Sequence, residues 1–293
     1  MTDLTGASLT WRGVMFAGSR SGGRFSIATL EGWEDWDSSR SAPARPAAHG
    51  AMGSAPLSEG KVIRASGLCR NAAERDAMLA ELGDTFRLAD AGARAEDLTI
   101  DLAGRELTAR CFVTRYKAPL DLWSAGLFSW AVEWVTDDPL RYGARVPATT
   151  GFPVAAGGLR WPLYSDGAGV NVGALDYGPA STTGRLTLAN PGTATSSIQH
   201  EVVGPVDASG FEVIQINGPG RLVFEGPVPA GSTLLLDGAS GAVLMDGYAD
   251  RGDVLTSRVW PVAPRLGSVE LFFRPRGSTS AASLTSSLAP AYW

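Results

Sequence analysis

The chain has 293 residues, a formal net charge of −5 and a sequence pI near 5.2. Its arginines are scattered singly, so the sequence shows no Lys/Arg cluster of the kind a duplex-binding protein uses to displace counterions, a patch assembled in three dimensions being the alternative. Its 36 glycines and 18 prolines bound many short apolar runs, the pattern of a β-rich globular protein with tight turns rather than a disordered or fibrous one.

The first residues, "MTDLTGASLTWRG", show neither the basic nor the apolar segment of a secretory signal. No run approaches the roughly 18 apolar residues of a membrane-spanning helix. The expectation is a chain made in a cytoplasm and kept in solution.

"RFSIATLEGW" (24–33) alternates Phe25, Ile27 and Thr29 and predicts a strand. The stretch from Glu34 to Gly60 has no apolar period and carries several prolines, so it reads as an arm or long loop. "KVIRASGLC" (61–69) resumes strand character. "NAAERDAMLAELG" (71–83) predicts the one clear helix, with Asn71 as cap, Glu74 completing a capping box and Gly83 as the left-handed stop.

"LTIDLAGRELTARCFVTRY" predicts a hairpin turned at Ala103-Gly104. "LFSWAVEWV" follows as a strand with Phe128, Trp130, Val132 and Trp134 on one face. Asp137 and Asp138 then raise the question of an acid/base or metal pair. Adjacent residues of an extended strand point to opposite sides, and Pro139 holds Asp138 extended or in a turn. The two carboxylates are punctuation at a strand end.

The loose composition after Tyr142 sets the domain division: a β domain over 1–145, a linker over 146–158, and a second domain over 159–293. In the second, "RLTLAN", "IQHEVVG", "FEVIQING", "RLVFEG", "STLLLDG" and "SVELFFRP" recur at the spacing of an antiparallel β-sandwich, and "LLLDGASGAVLMDG" predicts a hairpin. The fold class is mainly β, a β-rich α+β chain.

Few residues gather into a chemistry. Cys69 and Cys111 share faces with apolar neighbours and read as buried free thiols, a disulfide between them being the alternative. His200 lies between Ile198 and Val202 as a packed residue, and His49 sits in the arm. "GSRSGG" (18–23) lacks the Lys-Ser/Thr of a phosphate loop, and no metal or cofactor set is found. Trp33 and Trp36 beside acidic residues form a candidate platform for stacking a sugar, against the plainer reading that Trp33 packs and Trp36 anchors the arm.

In their order, these signals resemble the distal tail proteins of long-tailed, non-contractile bacteriophages, the siphovirus minor tail proteins. The resemblance rests on "FSIATLEGW", the arm with "RPAAHG", "GKVIRASGLC", the helix, the hairpin, and "FSWAVEWVTDDPLRYG" with Asp138, Pro139 and Tyr142. In the second half it rests on "GGLRWPL", "LANPGTATSSIQHEVVGPV", "VPAGSTLLLDGASGAVLMDG" and "LGSVELFF". No large insertion adds a separate carbohydrate-binding module.

The family implies a structural virion protein at the distal end of the tail, not an enzyme. Its N-terminal domains form a homohexameric ring between the tail tube protein and the tail-tip or baseplate hub protein, and DNA passes the central channel unbound. Its second domain is galectin-like. On this reading the arm (Asp37 to Glu59) and the hairpin (Leu98 to Tyr116) are the ring contacts, with Arg45, Pro46, His49, Gly50, Leu98, Arg105 and Arg115 as candidates. The rivals are a module that binds host-surface glycan through Trp33 and Trp36, and a cell-wall hydrolase with a β accessory domain.

Overall fold

The computed structural model describes residues 6–18, 25–41, 43, 45, 49, 53–55, 57–71, 73–87, 95–154, 183–277 and 281–293. The chain divides into two units, Met1–Ala144 with Tyr292–Trp293, and Arg145–Ala291. Strands β1 (Ser8–Trp11), β2 (Val14–Gly18), β3 (Phe25–Glu31), β4 (Ser38–Ser39), β5 (Leu57–Ser58), β6 (Val62–Cys69), β7 (Glu96–Leu102), β8 (Arg105–Lys117), β9 (Phe128–Val135) and β10 (Arg141–Tyr142) belong to the first unit, with helix α1 (Arg75–Thr85) between β6 and β7.

Among the described residues, seven of these strands close into a barrel in the order β8–β7–β1–β2–β3–β6–β9, with β9 returning to β8. Closure depends on the 13-residue β8, whose first half pairs with β7 and whose second half pairs with β9. Two-residue turns join β1 to β2 and β7 to β8. Arg12-Gly13 and Ala103-Gly104 take positive φ throughout, the twist that suits a right-handed hairpin. The hairpin and its turn stand where the sequence predicts them.

Alternation fills the barrel. Along β9, Phe128, Trp130, Val132 and Trp134 are buried and their neighbours are half-buried. They meet Leu9, Trp11, Phe16, Phe25, Ile63, Leu98, Ile100 and Cys111 in one core. Helix α1 supplies Met78 and Leu82, and the residue after it, Phe86, lies against Phe16, Tyr116, Trp130 and Trp134 at 5.2–6.2 Å between ring centres.

The helix differs from the prediction at both ends. Asn71 accepts a hydrogen bond from the Ala73 amide in a turn ahead of the helix, and Glu74 stands at the cap position without a side-chain capping bond to the first turn. Gly83 is helical. The far end is capped from elsewhere in the chain: the guanidinium of Arg12 donates to the carbonyls of Thr85 and Arg87 and is fixed by Glu96 at 2.6 Å. A cation on the terminal carbonyls does the work expected of a glycine stop.

The second unit contains β11 (Val146–Gly151), β12 (Arg185–Asn190), β13 (Ser196–Val203), β14 (Phe211–Gln215), β15 (Arg221–Phe224), β16 (Thr233–Asp237), β17 (Val243–Met245), β18 (Ala249–Asp250), β19 (Leu255–Val259), β20 (Val262–Ala263), β21 (Gly267–Pro275) and β22 (Ser283–Leu288). One sheet runs β11–β22–β13–β16–β17–β18, with β20 also on β13, and the other runs β12–β21–β14–β15–β19. Their inner faces share a core of Leu186, Leu188, Ile198, Val202, Phe211, Val213, Leu234, Leu236, Leu271, Phe273, Leu284 and others. Two antiparallel sheets around one core make a β-sandwich.

The linker reading of 146–158 is corrected over its first part. Val146–Gly151 is strand β11, paired along its length with β22, and Thr149 and Thr285 join hydroxyls at 3.0 Å. Branched side chains suit the pleat, and the flanking Gly and Pro mask the strand in sequence. "LANPG" gains a physical role: the buried Asn190 amide donates to the carbonyls of Ala194, Ala263 and Pro264 while its oxygen accepts from Gly192. A last strand, β23 (Ala291–Tyr292), pairs with β10.

Candidate functional site

The arm leaves the barrel between β3 and β6, and its roots are fixed by close approach. Gly32 has φ +79° and its missing Cβ would lie 1.9 Å from the Val62 carbonyl oxygen; a Cβ on Gly60 would lie 2.0 Å from that of Thr136. No side chain fits either place. Trp33 is buried beneath the Arg141 guanidinium, 5.5 Å from the ring centre. Arg141, itself 3% exposed, donates to Glu34 at 2.6 Å and to the Trp293 carbonyl. Lys61 is buried beside them and donates to the Trp33 carbonyl. Burial first, and the Arg141 charge second, hold its pKa below the usual lysine value.

Beyond the roots, the described residues of the arm form a two-stranded ribbon. Strand β4 pairs with β5, and Glu59 N and Ser54 N donate to the carbonyls of Asp37 and Ser41. This stem is exposed, including Trp36 at 68% and Leu57 at 70%. Around Trp36 lie Asp35, Asp37 and Glu59, all exposed. Of the candidate contacts on the arm, Arg45 and His49 are exposed, while Pro46 and Gly50 lie outside the described residues. So do most of "GSRSGG" and all of "GGLRWPL".

A second feature is a trough on the outer wall of the barrel. It has a volume of about 280 Å³ and crosses β3, β6, β9 and β8, lined by Thr29, Glu31, Arg64, Arg115, Lys117 and Glu133, by the small side chains of Ser66 and Ala131, and by Ala65 and Val132, whose own side chains are buried in the barrel core. Two register shifts, at Ile27/Thr29 on β3 and Val113/Arg115 on β8, bend the strands that flank it. Arg64 pairs with Glu133 at 2.8 Å, and Thr29 and Ser66 join hydroxyls at 2.6 Å. Hydrogen bonding from Arg64 holds the Glu133 carboxyl below its ordinary value.

The remaining candidates separate. Leu98 is fully buried in the barrel core between β1 and β8, so it is a packing residue and not a contact. Arg105, at the hairpin turn, stacks over Tyr292 at 4.2 Å. Arg115 alone of the hairpin candidates faces the trough. Trp33 cannot stack a sugar with Trp36, because only Trp36 is exposed.

The carboxylates after β9 behave as turn residues. Asp138 accepts from the Leu140 amide at 2.9 Å and from the Tyr142 hydroxyl at 2.6 Å. Burial, with the Asp138 hydrogen bond, raises the Tyr142 pKa. Cys69 and Cys111 are buried free thiols, and burial pushes Cys111 up to about 12, far from thiolate chemistry at neutral pH. His200 is fully buried, its Nδ1 2.8 Å from Ser286 Oγ, and burial lowers its pKa to about 4.

No known family model matches the sequence, and no curated protein matches it. The structure does match solved ones. A crystal structure of SPP1 Dit, described as a paradigm of the hub adsorption apparatus in phages infecting Gram-positive bacteria, superposes with a TM-score of 0.64 at 10% identity, over 98% of this chain and 99% of that one. A component of the phage p2 baseplate in its activated conformation with Sr superposes with a TM-score of 0.52 at 10% identity, over 96% and 97%. The fold of this chain, through nearly its whole length, is that of phage hub and baseplate proteins.

Proposed function

We propose that the chain is a structural component of a phage tail, a distal tail protein whose copies close into a ring between the tail tube and the tail tip. The observation that carries this reading is the likeness to SPP1 Dit across almost the whole of both chains. A shared single domain would say little, since folds are reused freely; a barrel with an arm followed by a two-sheet unit is a more particular combination. The arm supports the same reading. Its stem keeps a tryptophan and a leucine in solvent on rigid roots, an arrangement suited to covering by another subunit. Head-to-tail contacts between identical subunits close into a ring when the rotation per subunit divides the circle. An acidic chain also suits a channel that lets DNA through without holding it.

Light scattering with negative-stain imaging of the purified chain tests the reading. The expected result is an assembly of about six copies with an open centre, and deletion of residues 40–50 is expected to return it to folded monomers. A deletion variant that still forms the ring would remove the arm from the interface.

A further inference from the structure

We propose that the trough on the outer barrel wall receives the acidic arm stem of a second copy of this chain. The inference rests on the ring reading above and names the surface that the arm meets.

Charge points to this occupant. The trough presents Arg64, Arg115 and Lys117 against Glu31 and Glu133. Arg64 and Glu133 satisfy each other. Among the described residues, Arg115 reaches the Glu133 carboxylate only by a longer-range attraction and Lys117 makes no ion pair, although the chain as a whole carries −5. The complementary surface lies on the arm stem. Asp35, Asp37 and Glu59 cluster there without an ion-pair partner among the described residues, while Glu34 is taken up by Arg141. A basic trough and an acidic ribbon on one molecule are the two halves of a heterologous contact, which must join different surfaces of identical subunits.

Shape agrees with charge. On the outer wall the trough floor carries only the small side chains of Ser66 and Ala131, since the side chains of Ala65 and Val132 point into the barrel core, so a large apolar group can sit between the charged sides. The stem offers Trp36 and Leu57, both largely exposed. A buried aromatic ringed by charge pairs is the usual anatomy of an interface anchor. Glu31, at one side of the trough, is the last residue of β3 before the arm's own root at Gly32. Each subunit therefore carries its donor ribbon beside its receptor trough.

The test is a charge swap read by sedimentation at a series of protein concentrations. R115E with K117E, both on an exposed face away from the barrel core, is expected to weaken assembly at least about tenfold. D35K with D37K is expected to do the same. The four substitutions together are expected to recover most of the loss, as a coupled pair does. Assembly of the wild type is also expected to weaken between low and high salt. Full assembly in R115E/K117E, or losses that the combined variant fails to recover, would overturn the trough while leaving the ring reading in place. A wild-type chain that stays monomeric at every concentration would overturn both. Circular dichroism on each variant separates loss of contact from loss of fold, and W36A supplies an independent reading through the apolar anchor.

Discussion

The two units solve the same problem, burying β-sheet faces, in opposite ways. The first closes its sheet into a barrel and fills it with large rings: Trp11, Phe16, Phe25, Phe86, Phe128, Trp130 and Trp134 are all buried in one cluster. The seven strands pair with one another round the wall, and the edge that the first half of β8 leaves open is taken by β10, so a partner is expected to use what projects from the wall or is cut into it. The second leaves its two sheets open and fills the space between them mainly with aliphatic side chains. Among the described residues, His200 is an ionisable side chain on its core-facing strand surface, while the other buried ionisable residue, Glu212, is paired with Arg221 and Arg274. A closed barrel concentrates its stability in a few aromatic contacts, whereas an open sandwich spreads it and carries its weakness as a buried titratable group.

The sharpest way to break this contrast is F86A. Phe86 touches four other rings and joins helix α1 to the barrel interior, so its removal is expected to cost about 3–5 kcal/mol, the range for truncating a buried aromatic. Hydrogen exchange should show amides of β1, β2 and β9 losing protection while those of β13 and β16 keep theirs. Equal loss in both units would mean that the barrel's stability is not held where the rings place it.

A change of pH should strike the other unit. His200 is neutral in the folded sandwich, with a pKa lowered to about 4, against about 6.5 in an unfolded chain. Its contribution is therefore intact above about pH 6.5 and is lost as pH falls toward 4, where the folded form also takes up the proton. The loss is on the order of 3 kcal/mol. H200F, which fills the same space without a proton to gain, should flatten that acid limb in a urea-melt series. If wild type and H200F lose stability in parallel from pH 7 to 4, carboxylates rather than His200 govern the acid response.

The difference between the units also explains what the sequence made legible. Alternation named the inner face of β9 residue by residue, and the Ala103-Gly104 step placed the turn between β7 and β8, because both are local signals. The end of α1 was not legible, since its cap is Arg12, far away in sequence and fixed by Glu96. Leu98 was read as a contact and is core, because periodicity shows that a residue faces one side without showing which side is the interior of a closed barrel. The trough escaped notice for the same reason: Thr29, Arg64, Arg115 and Glu133 come from four strands, and only closure with two bulges brings them together. Trp33 was read beside Trp36 because they are near in sequence, yet Gly32 turns the chain so that one is buried and the other exposed.

The smallest expected effect concerns the arm's root and decides whether the arm is a rigid element or a tether. Arg141 joins Glu34, Trp293 and the face of Trp33, so it ties the arm root to β10 and to a chain segment that follows the whole second unit. R141M keeps most of the packing volume and removes the guanidinium. The Trp293 carbonyl then loses a donor, while Lys61 is relieved of a neighbouring positive charge, and the two changes partly offset. A net cost of about 1 kcal/mol is expected, felt locally rather than through the barrel. Exchange at Trp33–Asp37 and Glu59–Lys61 should rise roughly fivefold, since one kcal/mol is worth about that factor. The Lys61 pKa should rise as the Arg141 charge is removed, which an NMR titration of the lysine side chain reads directly. Faster root exchange with an intact barrel would show that the Arg141 guanidinium holds the arm root in place in advance of any contact the arm makes. Unchanged exchange would place the rigidity in the two glycine contacts alone, where the backbones of Gly32 and Gly60 lie against Val62 and Thr136.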